Sequence, residues 1–215
     1  IRDNIRRAQV LVSIAGHTTE EYFRLIEGLD GEDGFLGFEV NLSCPNDAKR
    51  GGAPFALDPE AVSEILSGCR ARTGRPVVAK LAPNDPDLGN TVRVATEAGA
   101  DALTLVNTVP GILLHARDGT PELGAGQGGM SGPALRPVGL RAVGIASAAT
   151  VLPIVGVGGV FAPTDAVAYA RAGASLVEIG TASFAAPRAA EKVVRGLSRW
   201  GRPSDRWDDL RAPPK

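Results

Sequence analysis

The 215-residue chain is poor in cysteine, with two, in histidine, with two, and in aromatic residues, at 5%. Two thiols give no disulfide framework and fit a reducing, cytoplasmic setting. His17 and His115 stand apart from any other metal-ligand cluster, so both read as surface or loop residues. No uninterrupted apolar run approaches the ~18 residues of a membrane span. The opening residues lack the apolar stretch of a signal peptide. Charge of one sign is missing as well. The formal net charge is −1, with no block of like charges, which argues against nucleic acid or an anionic membrane as partner.

What the chain has is small aliphatic residues and punctuation. Residues classed as hydrophobic make up 44%, and 27 glycines and 16 prolines are spread along the chain. Short apolar runs at 10–15, 35–40, 76–81, 102–106, 153–157 and 176–179 alternate with amphipathic stretches at 20–29, 59–71, 88–98, 137–149, 164–171 and 189–197. Thr18 or Thr19 is placed to cap the first helix, and Asp58–Pro59 is an N-cap followed by proline at the first helical position. The runs read as continuously apolar, the pattern of parallel strands buried on both faces.

A doubly wound sheet would show the same βα alternation. The unusual residues favour a barrel: Asn41, Lys80, Asn107, Gly158–Gly159 and Gly180–Thr181 all fall at or just past strand ends, which in a (β/α)₈ barrel converge on the catalytic face. The expected fold is therefore a (β/α)₈ TIM barrel over residues 1–198, with a polar Pro- and Arg-rich tail at 199–215. Six βα units leave an eight-stranded barrel two units short, and the expectation is that those two precede Ile1.

The segment Val40–Asn41–Leu42–Ser43–Cys44–Pro45–Asn46 puts a thiol and two carboxamides on a loop after a strand. A thiol with an ordinary pKa of about 8.5 can take a weakly acidic carbon-bound proton when its neighbours favour the thiolate. The flanking carboxamides each offer a donor and an acceptor to a flat, amide-rich ring. An inert buried thiol is the alternative reading for Cys44. It is the expected one for Cys69, which falls within a helix. Lys80, a lone cation in an apolar run, is either a ligand contact or a lysine snorkelling from an edge. Asn107 is either a ligand contact or a turn former. Glycines at 158–159 and 180 let backbone amides approach an anion. The long, glycine-containing connection 108–132 is expected to be a mobile lid.

These motifs, in this order, resemble the cysteine-using dihydroorotate dehydrogenases. The following Gly51–Gly52–Ala53–Pro54–Phe55–Ala56–Leu57–Asp58–Pro59, and segments 78–84, 103–108, 128–133, 156–159 and 180–184, are similar in particular to the NAD-linked, two-subunit class. The resemblance reaches nearly to residue 197. It implies oxidation of dihydroorotate to orotate in pyrimidine synthesis, with Cys44 removing the C5 proton and hydride passing from C6 to FMN. It further implies that Asn41, Asn46, Asn107 and Thr108 hold the substrate. The implied FMN contacts are Ser13, Asn41, Lys80, Val106, Gly132, Gly158, Gly159, Gly180 and Thr181. An electron-transfer partner carrying FAD and a [2Fe–2S] cluster, in a homodimer or heterotetramer, is implied too. At Ser13 the family often has asparagine. The rival readings are reduction of a pyrimidine base, as in dihydropyrimidine dehydrogenases, and an inactive, truncated barrel that binds a phosphate.

Overall fold

A computed structural model describes residues 8–43, 54–200 and 207–210. Six strands form one parallel sheet: β1 (Leu11–Ile14), β2 (Gly37–Asn41), β3 (Val77–Lys80), β4 (Ala102–Leu105), β7 (Ile154–Val157) and β8 (Leu176–Glu178). Their spatial order, β1-β2-β3-β4-β7-β8, follows the chain without reversal. A doubly wound sheet must reverse its strand order partway across, so this topology is that of a (β/α)₈ barrel. The sheet is also curled. Lys80 on β3 touches Glu178 on β8 at 3.4 Å, although two strands lie between them, a span of about 14 Å if flat.

Each strand is followed by a helix on the outer side: α1 (Thr19–Leu29), α2 (Pro59–Arg70), α3 (Leu88–Glu97), α4 (Arg136–Ala149), α5 (Pro163–Ala172), then α6 (Ala182–Ala185) and α7 (Ala189–Trp200). Consecutive helices pack on one another from α1 to α5, and α5 packs on α7. The caps are those read from the sequence. Thr18 accepts from the Glu21 amide, and Asp58 accepts from the amides of Glu60 and Ala61 at 3.1 and 3.2 Å. None of the described helices is long and apolar enough to cross a membrane.

The two sheet faces differ, which corrects the reading of continuous apolar strands. Phe38, Val40, Val77, Ala79, Leu103, Leu105 and Ile154 point outward and are buried beneath the helices with Tyr22, Ile26, Ile65, Leu66 and Tyr169. Each large side chain removed from water in this way stabilises the fold by about 1.5–3 kcal/mol. The inward face carries Asn41 and a hydrogen-bonded group of Ser13, Glu39, Lys80, Thr104 and Glu178. Strand β2, Gly-Phe-Glu-Val-Asn, thus alternates at period two.

Two further elements differ from expectation. The connection after β4 contains an antiparallel hairpin, β5 (Val109–Gly111) with β6 (Gly128–Met130), plus a bridge between Leu114 and Pro121. Near the C-terminus α7 runs to Trp200, and a short helix α8 (Trp207–Leu210) follows. The Trp207 indole donates to the Ala174 carbonyl at 3.3 Å, so part of the segment read as tail packs on the turn into β8.

Candidate active site

The carboxyl ends of β3, β4, β7 and β8 open onto one cleft. Nine residues singled out from the sequence line it: Lys80, Val106, Asn107, Thr108, Gly132, Gly158, Gly159, Gly180 and Thr181. Ser131, Leu135, Val157, Val160, Phe161, Glu178 and Ala182 complete its walls. Segments more than 100 residues apart in sequence therefore meet at one place, the face where barrels of this kind build their sites.

At one side of the cleft two of the three expected carboxamides, Asn41 and Asn107, meet. Asn107 Nδ2 donates to Asn41 Oδ1 at 3.0 Å and to Ser43 Oγ at 2.8 Å. Asn107 Oδ1 accepts from the Thr108 amide at 2.8 Å. Asn41 is anchored from behind, its carbonyl accepting from the Tyr22 hydroxyl at 2.7 Å. Ser43, buried at the end of this network, was not singled out from the sequence. Asn41 stands one strand away from the cleft-lining residues and reaches them through Asn107. Cys44 and Asn46 lie outside the described residues.

The floor of the barrel is charged. The Lys80 ammonium lies 3.1 Å from Glu39 Oε1 and 3.4 Å from Glu178 Oε2. Glu39 is buried, and it also accepts from Thr104 Oγ1 at 3.0 Å and from Ser13 Oγ at 3.4 Å. Burial of a lysine normally favours the neutral amine, but the two carboxylates outweigh it here and hold Lys80 protonated, its pKa above the ordinary value. Glu178 is pushed up to about 7 by burial and by the neighbouring Glu39 carboxylate, with Lys80 pulling the other way. Ser13, placed among flavin contacts by resemblance, lies on exposed β1 and reaches Glu39 rather than the cleft. Sequence reasoning missed Glu39 and Glu178. The signal was the one that exposed Lys80: a charged residue within an otherwise apolar run.

The opposite wall is backbone. Gly132, Gly158 and Gly159 take positive φ of 92°, 120° and 69°, a region open to glycine at little cost. A Cβ on Gly159 would stand 2.9 Å from the Gly132 carbonyl and 3.0 Å from the Arg136 amide, so these loops nest against each other. Gly180 differs, since a Cβ there would meet nothing within 4 Å and the surface beside it is open. Thr181 Oγ1 donates to Ser131 Oγ at 2.8 Å, tying the last strand's loop to the end of the hairpin. Beneath the wall, the Tyr169 hydroxyl lies 2.7 Å from the Gly158 carbonyl. Asp165, paired with Arg136, accepts from the amides of Phe161 and Ala162 at 3.0 and 2.9 Å.

Cys69 sits at 0% exposure in α2, with its thiol pushed up to about 12 by burial against a smaller opposing pull from Arg72. It is a packing residue with almost no thiolate at neutral pH.

A sequentially ordered parallel sheet with a glycine-walled, lysine-floored cleft at its strand ends places the chain among the (β/α)₈ barrels. Comparison with known proteins narrows the class. The sequence profile of the dihydroorotate dehydrogenase family matches residues 1–200, and the chain belongs to that family. It is 42% identical over 190 residues to a protein of Pelobacter propionicus named dihydroorotate dehydrogenase B (NAD(+)), catalytic subunit, covering 88% of this chain and 62% of that one. It is 41% identical over 194 residues to a Solibacter usitatus protein named putative dihydroorotate dehydrogenase A (fumarate), covering 90% and 64%. The chain thus spans less than two thirds of the length of either relative. A crystal structure of the Eimeria tenella dihydroorotate dehydrogenase in complex with ferulenol superposes with a TM-score of 0.66 at 21% identity. That match covers 84% of this chain and 53% of the other and supports the barrel fold.

Proposed function

We propose that this chain carries the FMN- and substrate-binding face of an enzyme that oxidises dihydroorotate to orotate in pyrimidine synthesis. The observation that carries the reading is convergence: nine residues chosen from the sequence line one cleft, in a chain of this family. The residues present fit FMN. Gly132, Gly158, Gly159, Gly180 and Thr181 offer backbone and hydroxyl donors suited to a phosphate, Lys80 supplies positive charge for the ring, and Val106 an apolar surface. When bound, FMN supplies the acceptor for the hydride that leaves C6.

The chain's own groups would do the rest. Asn41 and Asn107, already locked together through Ser43, would orient the substrate's amide edge with Thr108 and Asn46. Locking these carboxamides beforehand lowers the ordering cost of binding. Cys44 would take the C5 proton as thiolate. Ser13 acts at one remove, through Glu39. The relative named as an NAD(+)-linked catalytic subunit supports a second, electron-transfer subunit, and we propose that this partner bears FAD and [2Fe–2S], in a homodimer or heterotetramer. The two cysteines of these 215 residues are fewer than the four thiolates that such a cluster takes.

Anaerobic mixing tests the proposal. The purified protein loaded with FMN should lose its visible flavin absorbance when dihydroorotate is added, and Cys44→Ser should slow that loss by about 100-fold or more. A protein that takes up no FMN, an unchanged rate in Cys44→Ser, or flavin reduction by dihydrouracil but not by dihydroorotate would refute it.

A further inference from the structure

Lys80 is shared by two carboxylates that are not equivalent. Glu39 is buried with 9% of its side chain exposed and is held from three sides, by Lys80, Thr104 and Ser13. Glu178 keeps 35% exposure, lines the cleft, and has a longer contact to the same ammonium, 3.4 against 3.1 Å. With both carboxylates ionised this floor carries one net negative charge. A phosphate held at the glycine wall of the same cleft would meet that charge in a partly desolvated site, where screening by water is weak.

We infer that Glu178 is a proton-linked counter-charge, which takes up a proton when an anionic ligand occupies the cleft and so releases Lys80 to that ligand. The inference rests on the proposal that FMN binds here. Glu39 is the permanent partner that keeps Lys80 charged, and Glu178 the exchangeable one.

The surroundings of Glu178 favour this division. Lys80 on β3 and Glu39 on β2 are the charges acting on it, while β1 and β4 offer only the hydroxyls of Ser13 and Thr104. Neighbouring β7 is Ile-Val-Gly-Val and contributes no charge. Helix α5, which packs on β8, carries Asp165 and Arg171. Asp165 is paired with Arg136 and caps its own helix, and Arg171 lies in the helix's last turn, just before the turn into β8. The Glu178 carboxyl, at about 7 before any ligand arrives, is poised where a nearby anion raises it further. Protonation of Glu178 breaks no bond other than its ion pair with Lys80, and the proton comes from solvent.

Calorimetric titration of the protein with FMN, in buffers of different ionisation heat at pH 6, 7 and 8, counts the protons taken up. If the liganded carboxyl lies above about pH 9, uptake should be roughly 0.1, 0.5 and 0.9 proton per FMN across that series. The FMN phosphate itself titrates near pH 6, and Glu178→Gln isolates the carboxyl because it leaves the phosphate in place. In Glu178→Gln the uptake at pH 8 should vanish, and the FMN affinity, which in the parent falls towards tenfold per pH unit above pH 7, should become flat from pH 7 to 8. Glu39→Gln removes the charge that raises Glu178, so its uptake at pH 8 should fall below the parent's; this variant and the parent's own count decide the matter if Glu178→Gln does not fold. Uptake below roughly 0.2 proton at pH 8 in the parent, or equal uptake in Glu178→Gln, overturns the inference while leaving FMN binding intact. Absence of FMN binding overturns both.

Discussion

Replacing Tyr169 by phenylalanine removes one oxygen from a fully buried side chain that supports the glycine wall from below. The Tyr169 hydroxyl is 2.7 Å from the Gly158 carbonyl and 3.0 Å from that of Val157. The Val157 carbonyl has a second donor, the Val106 amide at 3.2 Å, but the Gly158 carbonyl has no other among the described residues. The variant therefore leaves one buried acceptor unsatisfied, at a cost of about 1–3 kcal/mol. Packing changes little because the ring stays. Its seat is made by glycines: a Cβ at Gly139 would stand 2.0 Å from the hydroxyl, and one at Gly156 would stand 2.4 Å from the ring. The expected loss is about 2 kcal/mol, or a fall in Tm of roughly 4–8 °C for a chain of this size. Urea unfolding with an unchanged m-value gives the stability difference, and FMN titration reads the wall, which should weaken by a few-fold. A stability loss below about 0.5 kcal/mol would show that Tyr169 does not hold Gly158 in place.

Gly37→Ala places a Cβ 2.3 Å from the Pro76 carbonyl, a backbone atom that cannot turn aside; urea unfolding should show a loss of about 1–3 kcal/mol or more, and no loss would contradict the strand register. Asp58→Ala deletes the α2 cap and should cost about 1 kcal/mol, whereas Asp58→Asn should restore most of it. Glu178 has a folded pKa raised from 4.5 to about 7, so its contribution to stability is full below 4.5 and is lost as pH rises to 7. Unliganded Glu178→Gln should therefore match the parent near pH 4.5 and melt higher than the parent at pH 8; the opposite trend would refute the assignment. Cys69 should react with thiol reagents only at the rate of unfolding, since it is buried and its thiol is pushed up to about 12; rapid labelling of both cysteines in the native protein would contradict its placement.

The barrel was legible because its signals are local. Apolar runs with terminal Asn or Gly gave six strands in their true order, and Asp58–Pro59 marked a helix start that the structure keeps. The site was legible where a residue looked out of place, as at Lys80, Asn107 and the paired glycines. What stayed hidden depends on contacts between distant strands. Glu39 and Glu178 were absorbed into apolar runs, although each is explained by Lys80 only once β2, β3 and β8 curl together. Ser43 likewise acquires its role only through Asn107. The β5–β6 hairpin was missed because Gly128 and Gly129 leave no alternating pattern, and a Cβ on Gly129 would collide with Thr108. There the structure uses glycine for close approach.

Gly180 offers the most direct test of whether FMN sits in this cleft. A Cβ there meets nothing within 4 Å of the protein itself, yet Gly180 lines the cleft. Fluorescence titration of FMN against the parent and Gly180→Val, with melting curves for both, separates binding from folding. The account predicts an affinity at least about tenfold weaker, some 1.4 kcal/mol, with little change in Tm. An FMN affinity equal to the parent's in a folded Gly180→Val protein would contradict it.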